Sequence, residues 1–163
     1  MSGGSVERVR VALLAAGHAD TVASFPDGTR SAADAAAAVG CDVAQIAKSI
    51  VFRAGDRPVL VITSGANRVS MAKVAAALND DVAPPVFHVK RANGDWVRDV
   101  TGFAIGGVAP VGHLTPPLVL LDEDLFGYAD VWAAAGSPMH VFATTPEALL
   151  RLSGGRRADI REG

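Results

Sequence analysis

Cysteine is almost absent. Cys41 stands alone among 163 residues, which excludes an internal disulfide and every multi-cysteine zinc or iron–sulfur site and makes a reducing, cytoplasmic setting the simplest one. The four histidines, at 18, 88, 113 and 140, have no metal-ligand spacing, so neither a metal nor another cofactor is expected. No run approaches the roughly 18 to 20 apolar residues that cross a bilayer, and Met1–Ser5 lacks the basic-then-apolar start of a signal peptide, so no membrane partner is expected. Positive charge is also scarce. Fifteen basic residues face 17 acidic ones, a formal net charge of -2. That balance excludes the broad positive field of a protein that coats nucleic acid at many phosphates, and any nucleic-acid contact should be local.

Half of the residues are hydrophobic and 20% are charged, enough for one packed core and too apolar for global disorder. The length fits a single domain over 1–163, with residues 1–4 expected to be disordered. Val9, Val11, Leu13 and Leu14 predict a first helix stopped by Gly17. Thr21–Phe25 reads as an extended run closed by the turn Pro26-Asp27-Gly28. Ser31 and Asp34 cap a helix that runs to Val39 and stops at Gly40, and Asp42 caps a second short helix through Lys48. Ser49–Arg53 and Pro58–Thr63, joined by Ala54-Gly55-Asp56-Arg57, give the strongest hairpin signal and should lie at the centre of the sheet. A helix over Met71–Leu78, a strand over Val86–Val89 and a helical turn from Asp95 to Thr101 follow. Strands are expected at Leu118–Leu121, Asp130–Ala134 and Met139–Ala143, with a short helix at Asp122–Leu125 and a last helix started by Thr145-Pro146-Glu147 and stopped by Gly154-Gly155. Hairpins interleave with helices instead of alternating strictly, so the fold class is α+β: a mixed, largely antiparallel, curved sheet partly wrapped by helices.

Chemistry-bearing residues are few. Lys48 sits at a predicted helix-to-strand corner, where it either opposes the negative end of a helix dipole or aims a point charge at a phosphate or ribose. Gly106-Gly107-Val108-Ala109-Pro110-Val111-Gly112 lacks the Gly-Lys-Ser/Thr ending of a phosphate-binding loop and the spaced glycines of a dinucleotide turn. It is either a tight turn or a cradle whose successive amides converge on one oxygen. His113 directly follows that loop and could approach a ligand held there. Cys41 has no histidine near it in sequence, no Ser-His-Asp set can be assigned, and Trp96 and Trp132 read as core anchors.

Three segments together resemble one family: Ile46-Ala47-Lys48-Ser49-Ile50-Val51-Phe52, Thr101–Gly112, and Ala134-Ala135-Gly136-Ser137-Pro138. They resemble the YbaK/prolyl-tRNA synthetase-associated (INS-like) editing domains, in the same order and over residues 5–160, with Ser64-Gly65-Ala66-Asn67-Arg68 adding to the likeness. The resemblance implies that family's fold and the hydrolysis of the ester between a wrong amino acid and the 3′ end of tRNA. It implies a protein of the free-standing kind, acting in trans on the acceptor end of mischarged tRNA(Pro), with Cys or Ala as the amino acid removed and prolyl-tRNA synthetase as a possible partner. It matches Lys48 to the family's lysine at the terminal adenosine, and Gly106 or Gly107 through Pro110 to its Gly-x-x-x-Pro loop, whose amides hold the carbonyl. By the same likeness Phe25 and Ile50 line the amino-acid pocket, Ser49 adjoins the lysine, and Gly136 and Ser137 form a turn beside the pocket. Ser70, where many relatives carry Asp, and the irregular stretch 89–93 depart from the pattern.

The physical logic is compatible with that implication. An aminoacyl ester is already reactive and needs orientation and oxyanion stabilisation more than a protein nucleophile. Two other readings stay open on the residues alone: a non-catalytic tRNA- or synthetase-binding adaptor of the same fold, and a hydrolase of some other activated ester.

Overall fold

Side-chain caps and glycine stops set the helix bounds. In the computed structural model, which describes residues 2–29, 31–79 and 88–163, helix α2 (Ala32–Val39) starts where Ser31 Oγ accepts from the Asp34 N–H at 3.0 Å. It ends at Gly40, whose φ of 76° a side chain would resist. Helix α4 (Gly94–Thr101) repeats the device, with Asn93 Oδ1 accepting from Trp96 N–H at 2.9 Å and Gly102 at φ 81°. Thr145 caps α5 (Pro146–Ser153), and Ser70 Oγ accepts from the first turn of α3 (Met71–Asn79) at Lys73 N–H, 3.3 Å. Helix α1 (Ser2–Ala15) takes in residues 2–4, where the composition predicts disorder. Its first turns are tied down by Ser5 Oγ, which donates to the Gly136 carbonyl at 2.6 Å, and by the buried Val6 and Val9.

Among the described residues eight strands form one mixed sheet: β1 (Val22–Ser24), β2 (Ile46–Ala54), β3 (Arg57–Ser64), β4 (Lys90–Arg91), β5 (Leu118–Asp122), β6 (Val131–Ser137), β7 (His140–Thr144) and β8 (Arg156–Ala158). Their order is β1-β7-β6-β2-β3-β5-β8, with β4 also paired to β2. Four ladders are antiparallel and three are parallel, β2 with β6, β3 with β5 and β5 with β8. The β2–β3 hairpin turns at Gly55-Asp56, with Gly55 at φ 63°, and lies at the centre as its sequence predicts.

Two expectations change. The short helix predicted from Asp42 through Lys48 is only a 3₁₀ turn at Val43–Gln45, and β2 begins at Ile46. Ile46 and Ala47 are buried and pair with Trp132 and Ala133 of β6, so ladder bonds and burial outweigh a marginal helical pattern. Lys48 is therefore a strand residue opposite Thr63, and the helix-dipole account of it lapses. In the strand predicted at Val86–Val89, residues 86 and 87 lie outside the described residues; the strand observed nearby is Lys90–Arg91.

Alternation along β2 separates two cores. Ala47 and Val51 face α1 and the loop after α4, in a cluster with Val9, Leu13, Phe103, Val108 and Ala109. Phe52, with Ile50 beside it, faces α3 through Val74 and Leu78. Ile46 and Trp132 face α2, packing with Ala35 and Ala36. One edge of β2 is covered throughout by β3. The other meets β6 at Ile46–Ala47 and β4 at Phe52–Arg53, and among the described residues nothing pairs with 48–51 on that edge.

Candidate active site

A groove of about 700 Å³ opens at that break in the sheet. Lys48, Ser49 and Ile50 of β2 form one wall and Gly106 and Val108 the other, with α2, Val69 and Met71 completing the lining. Its volume falls in the roughly 300–1,000 Å³ range of small-molecule sites. Lys48 is exposed and its side chain makes no hydrogen bond or ion pair with any described residue. Arg68 and Arg91 also reach the groove, and Glu162 is the carboxylate on its lining. Three cations against one anion make it a local positive site on a molecule of net negative charge.

The loop wall, residues 102–117, has neither helix nor strand. It begins with a turn in which Gly107 N–H donates to the Ala104 carbonyl at 3.0 Å and Gly106 stands at φ 92°. Gly107 has no room for a side chain, since a Cβ there would lie 2.7 Å from Ser137 Cα. The loop therefore rests directly on the backbone of the β6–β7 turn. Gly107 spends its amide inside the turn, whereas the N–H groups of Gly106, Val108 and Ala109 donate to no acceptor among the described residues. Val108 and Ala109 are buried, and a buried N–H is costly to leave unpaired, so this stretch is suited to receive a ligand oxygen.

Residues remote in sequence hold the loop. Arg8 of α1 donates from Nε to the Gly112 carbonyl at 2.7 Å and from Nη2 to the Gly102 carbonyl at 2.8 Å, and its guanidinium lies 4.5 Å from the Phe103 ring centroid. His113 donates from Nε2 to the Ala109 carbonyl at 2.6 Å and meets Phe103 edge-on at 5.3 Å. Burial pushes the His113 imidazole below its ordinary value; the bond to Ala109 opposes that shift and the Arg8 charge adds to it. A neutral ring with its proton on Nε2 follows, and His113 braces the loop from behind.

A second network fixes the loop Ser64–Arg68. The buried Asp122 accepts at Oδ2 from Thr63 Oγ1 (3.1 Å), Ser64 N–H (3.0 Å) and Asn67 Nδ2 (2.8 Å). Asn67 also donates to Asp124, which pairs with Arg161 at 2.8 Å. Glu162 N–H donates to the Arg68 carbonyl at 2.8 Å, so the last residues of the chain complete the groove wall.

The candidates named from sequence thus separate. Lys48, Ser49, Ile50 and Gly106 line one groove. Gly107, Pro110, Phe25, Gly136, Ser137 and His113 are not on its lining. Gly107 and the buried Pro110 shape the loop. Gly136, at φ 97°, packs against Ser5 and lets α1 approach. Ser137 is 2% exposed and its Oγ is taken up by His140 Nδ1 at 2.6 Å and Met139 N–H at 3.0 Å, within the β6–β7 turn. Phe25 is tied to the same turn, its N–H donating to the Met139 carbonyl at 2.8 Å. Cys41 is half-buried against α2, and burial, then Asp42, raise its thiol above the ordinary range, the opposite of an activated nucleophile. Trp132 reaches the groove, while Trp96 is covered by Arg53 at 4.5 Å. Arg8 and Asp122 carried no signal in the sequence, because their partners are 94 and 104 residues away for Arg8 and 55 to 59 for Asp122. Arg68 lies in a stretch that the resemblance already quotes.

Fold and groove together define an α+β domain whose candidate site presents main-chain amides and cations, with no pair of carboxylates among the described lining residues. Residues 26–152 match the family model of the aminoacyl-tRNA editing domain. The chain belongs to that family and is YbaK-like. It is 28% identical over 150 residues to the uncharacterised protein YwhH of Bacillus subtilis (strain 168), covering 91% of each chain. It is 32% identical over 91 residues to the proline–tRNA ligase of Lactobacillus gasseri, which takes in 56% of this chain and 15% of the ligase. Among solved structures, a candidate trans-editing enzyme for prolyl tRNA synthetase superposes with a TM-score of 0.88 at 44% identity over 98% of both chains.

Proposed function

We propose that this chain is a trans-acting deacylase that hydrolyses the ester of mischarged tRNA, with Cys- or Ala-tRNA(Pro) as its substrate. The observation that carries the reading is the groove lined by both Lys48 and the loop residues Gly106 and Val108, whose amides donate to no described residue. Lys48, with Arg68 and Arg91 beside it, supplies the charge to hold the terminal adenosine and its phosphates. The unengaged amides of Gly106, Val108 and Ala109 supply donors for the ester carbonyl. Water adds to the carbonyl carbon, the developing oxyanion is held by those amides, and the C–O bond to the ribose breaks as its oxygen takes a proton. The free amino acid and intact tRNA leave. Each such donor contributes about 3–4 kcal/mol to stabilising the tetrahedral intermediate, judged from single-donor deletions in other enzymes. The similarity to a candidate trans-editing enzyme for prolyl tRNA synthetase and to part of a proline–tRNA ligase supports both the reaction and the tRNA. The aliphatic lining from Ala32, Ala35, Ile50 and Met71 favours a small side chain. A second site of this kind is needed because binding alone rejects a missing methylene by only about 1–3 kcal/mol.

The test is single-turnover deacylation of Ala-, Cys-, Ser- and Pro-charged tRNA(Pro) by wild type and Lys48→Ala. Cleavage of the Ala or Cys ester is expected, with a loss of about 10²-fold in the variant, the scale of removing one transition-state contact. Hydrolysis of none of these esters would turn the reading to a non-catalytic adaptor.

A further inference from the structure

Resting on the deacylase reading, the geometry points to a reader of the substrate's free α-amino group: the unpaired edge of β2 at Ser49 and Val51. In an antiparallel ladder, residues alternate between bonding to their neighbour and presenting N–H and C=O to the opposite edge. Gly65 N–H donates to the Ile46 carbonyl at 2.8 Å, which places Ile46 in a bonded pair with the β3 side. Stepping by two, Lys48, Ile50, Phe52 and Ala54 also bond towards β3, and Ala47, Ser49, Val51 and Arg53 present their main chain to the other edge. Pro58, opposite Arg53, fits this phase because an outward-facing pair asks no N–H of it across the hairpin. Ala47 is met by β6 and Arg53 by β4. Ser49 and Val51 are met by neither, and both line the groove. Ser49 adds a further unmet group: its Oγ is buried and has no hydrogen-bond partner among the described residues.

The edge thus offers the N–H and the carbonyl of both residues, and the two carbonyls with the Ser49 hydroxyl oxygen ask for a ligand that donates. The ester carbonyl of an aminoacyl-tRNA only accepts, so it can meet N–H groups of the edge or of the loop but none of these oxygens. The α-ammonium, one carbon away from that carbonyl, carries the required N–H donors. The neighbourhood is right as well. Ser49 projects to the same side of β2 as Ala47 and Val51, which pack in one cluster with Val108 and Ala109 of the loop. The substrate therefore takes the place of the missing strand segment, its amine on the β2 edge and its carbonyl on the loop. Esters whose amine is already acylated, as in peptidyl-tRNA, lose donors and charge there and are poor substrates.

The experiment compares wild-type hydrolysis of the preferred aminoacyl-tRNA with that of its N-acetylated form. A rate on the N-acetylated ester lower by about 10- to 100-fold is expected, the span set by leaving a buried acceptor unpaired. Ser49→Ala is expected to slow hydrolysis of the free-amine ester by about tenfold and to shrink the ratio between the two esters, with Ser49→Thr restoring both. A residue of merely structural role would lower both rates and leave the ratio unchanged. Equal wild-type rates on the two esters overturn the inference and leave the deacylase reading standing. No hydrolysis of either overturns the reading, and the inference with it. The wild-type comparison holds even where a Ser49 variant fails to fold.

Discussion

One wall of the groove is a stretch of the central strand and the other is a loop without regular structure, and the two owe their positions to different forces. Lys48, Ser49 and Ile50 are placed by the ladder that pairs β2 with β3 over residues 47–54. Each of their side chains can be removed without disturbing the main chain that carries them. Gly106–Ala109 have no ladder. They stay in place because Gly107 presses on Ser137, because Arg8 clamps the carbonyls of Gly102 and Gly112, and because His113 holds the Ala109 carbonyl. A strand wall tolerates changes in chemistry, whereas a loop wall of this kind transmits any change in its supports to the amides it presents.

The largest effect on stability is expected at the loop's tightest contact. In Gly107→Ala the new Cβ meets three backbone atoms of Ser137 at 2.7–2.9 Å. Backbone in a turn cannot yield as a side chain can, so a loss of about 3 kcal/mol is expected, with deacylation falling alongside. Thermal unfolding checks it, as a drop in midpoint of about 6–12 °C for a chain of this size. An unchanged midpoint would mean that the loop does not rest on the β6–β7 turn.

Arg8→Ala comes next. It removes two short hydrogen bonds from a charged donor, a longer one to the Thr101 carbonyl at 3.5 Å and the ring contact with Phe103, for a loss of about 2 kcal/mol. Amide hydrogen exchange should localise the loosening to residues 102–112 and leave β2 protected. Uniform loss of protection would speak against a local clamp.

A smaller effect concerns pH. The folded state holds His113 below its unfolded value, so it binds fewer protons there than the unfolded chain does. The contribution is fully present above about pH 6.5 and is lost as pH falls through the folded value. Stability should fall with acidification in that window, and His113→Gln, which can still donate to the Ala109 carbonyl, should flatten the slope measured by urea denaturation. The smallest effect lies on the strand wall: Lys48→Ala should change stability by no more than about 0.5 kcal/mol, the scale of an exposed substitution. A large loss of stability there would erase the contrast between the walls.

Much of the fold is legible in local chemistry. Ser31 with Gly40, Thr145 with Gly154, and Gly102 at the end of α4 mark helix ends that need only their own neighbours to form, whereas α4 starts at Gly94 under an Asn93 cap and not at Asp95. The Gly55-Asp56 hairpin is of the same kind. Residues 46–48 read locally as the end of a short helix and fold as strand, since the pairing of Ile46 and Ala47 with β6 brings in a segment about 86 residues further along the chain. Of the candidate site, Lys48, Ser49, Ile50 and Gly106 meet in one groove, but His113 and Ser137 turn their polar atoms to the loop and the turn that support it.

By itself, then, the sequence determined where helices stop, where the central hairpin turns, which residue types could act on an activated ester, and that no disulfide can form within these 163 residues. Each of these depends on a residue and its near neighbours. The break in the sheet between β6 and β4, the free edge at Ser49 and Val51, and the choice of which loop amides remain unengaged were decided only by the tertiary structure. They depend on which distant segments take a share of the hydrogen bonds along one strand, and no local pattern records that division.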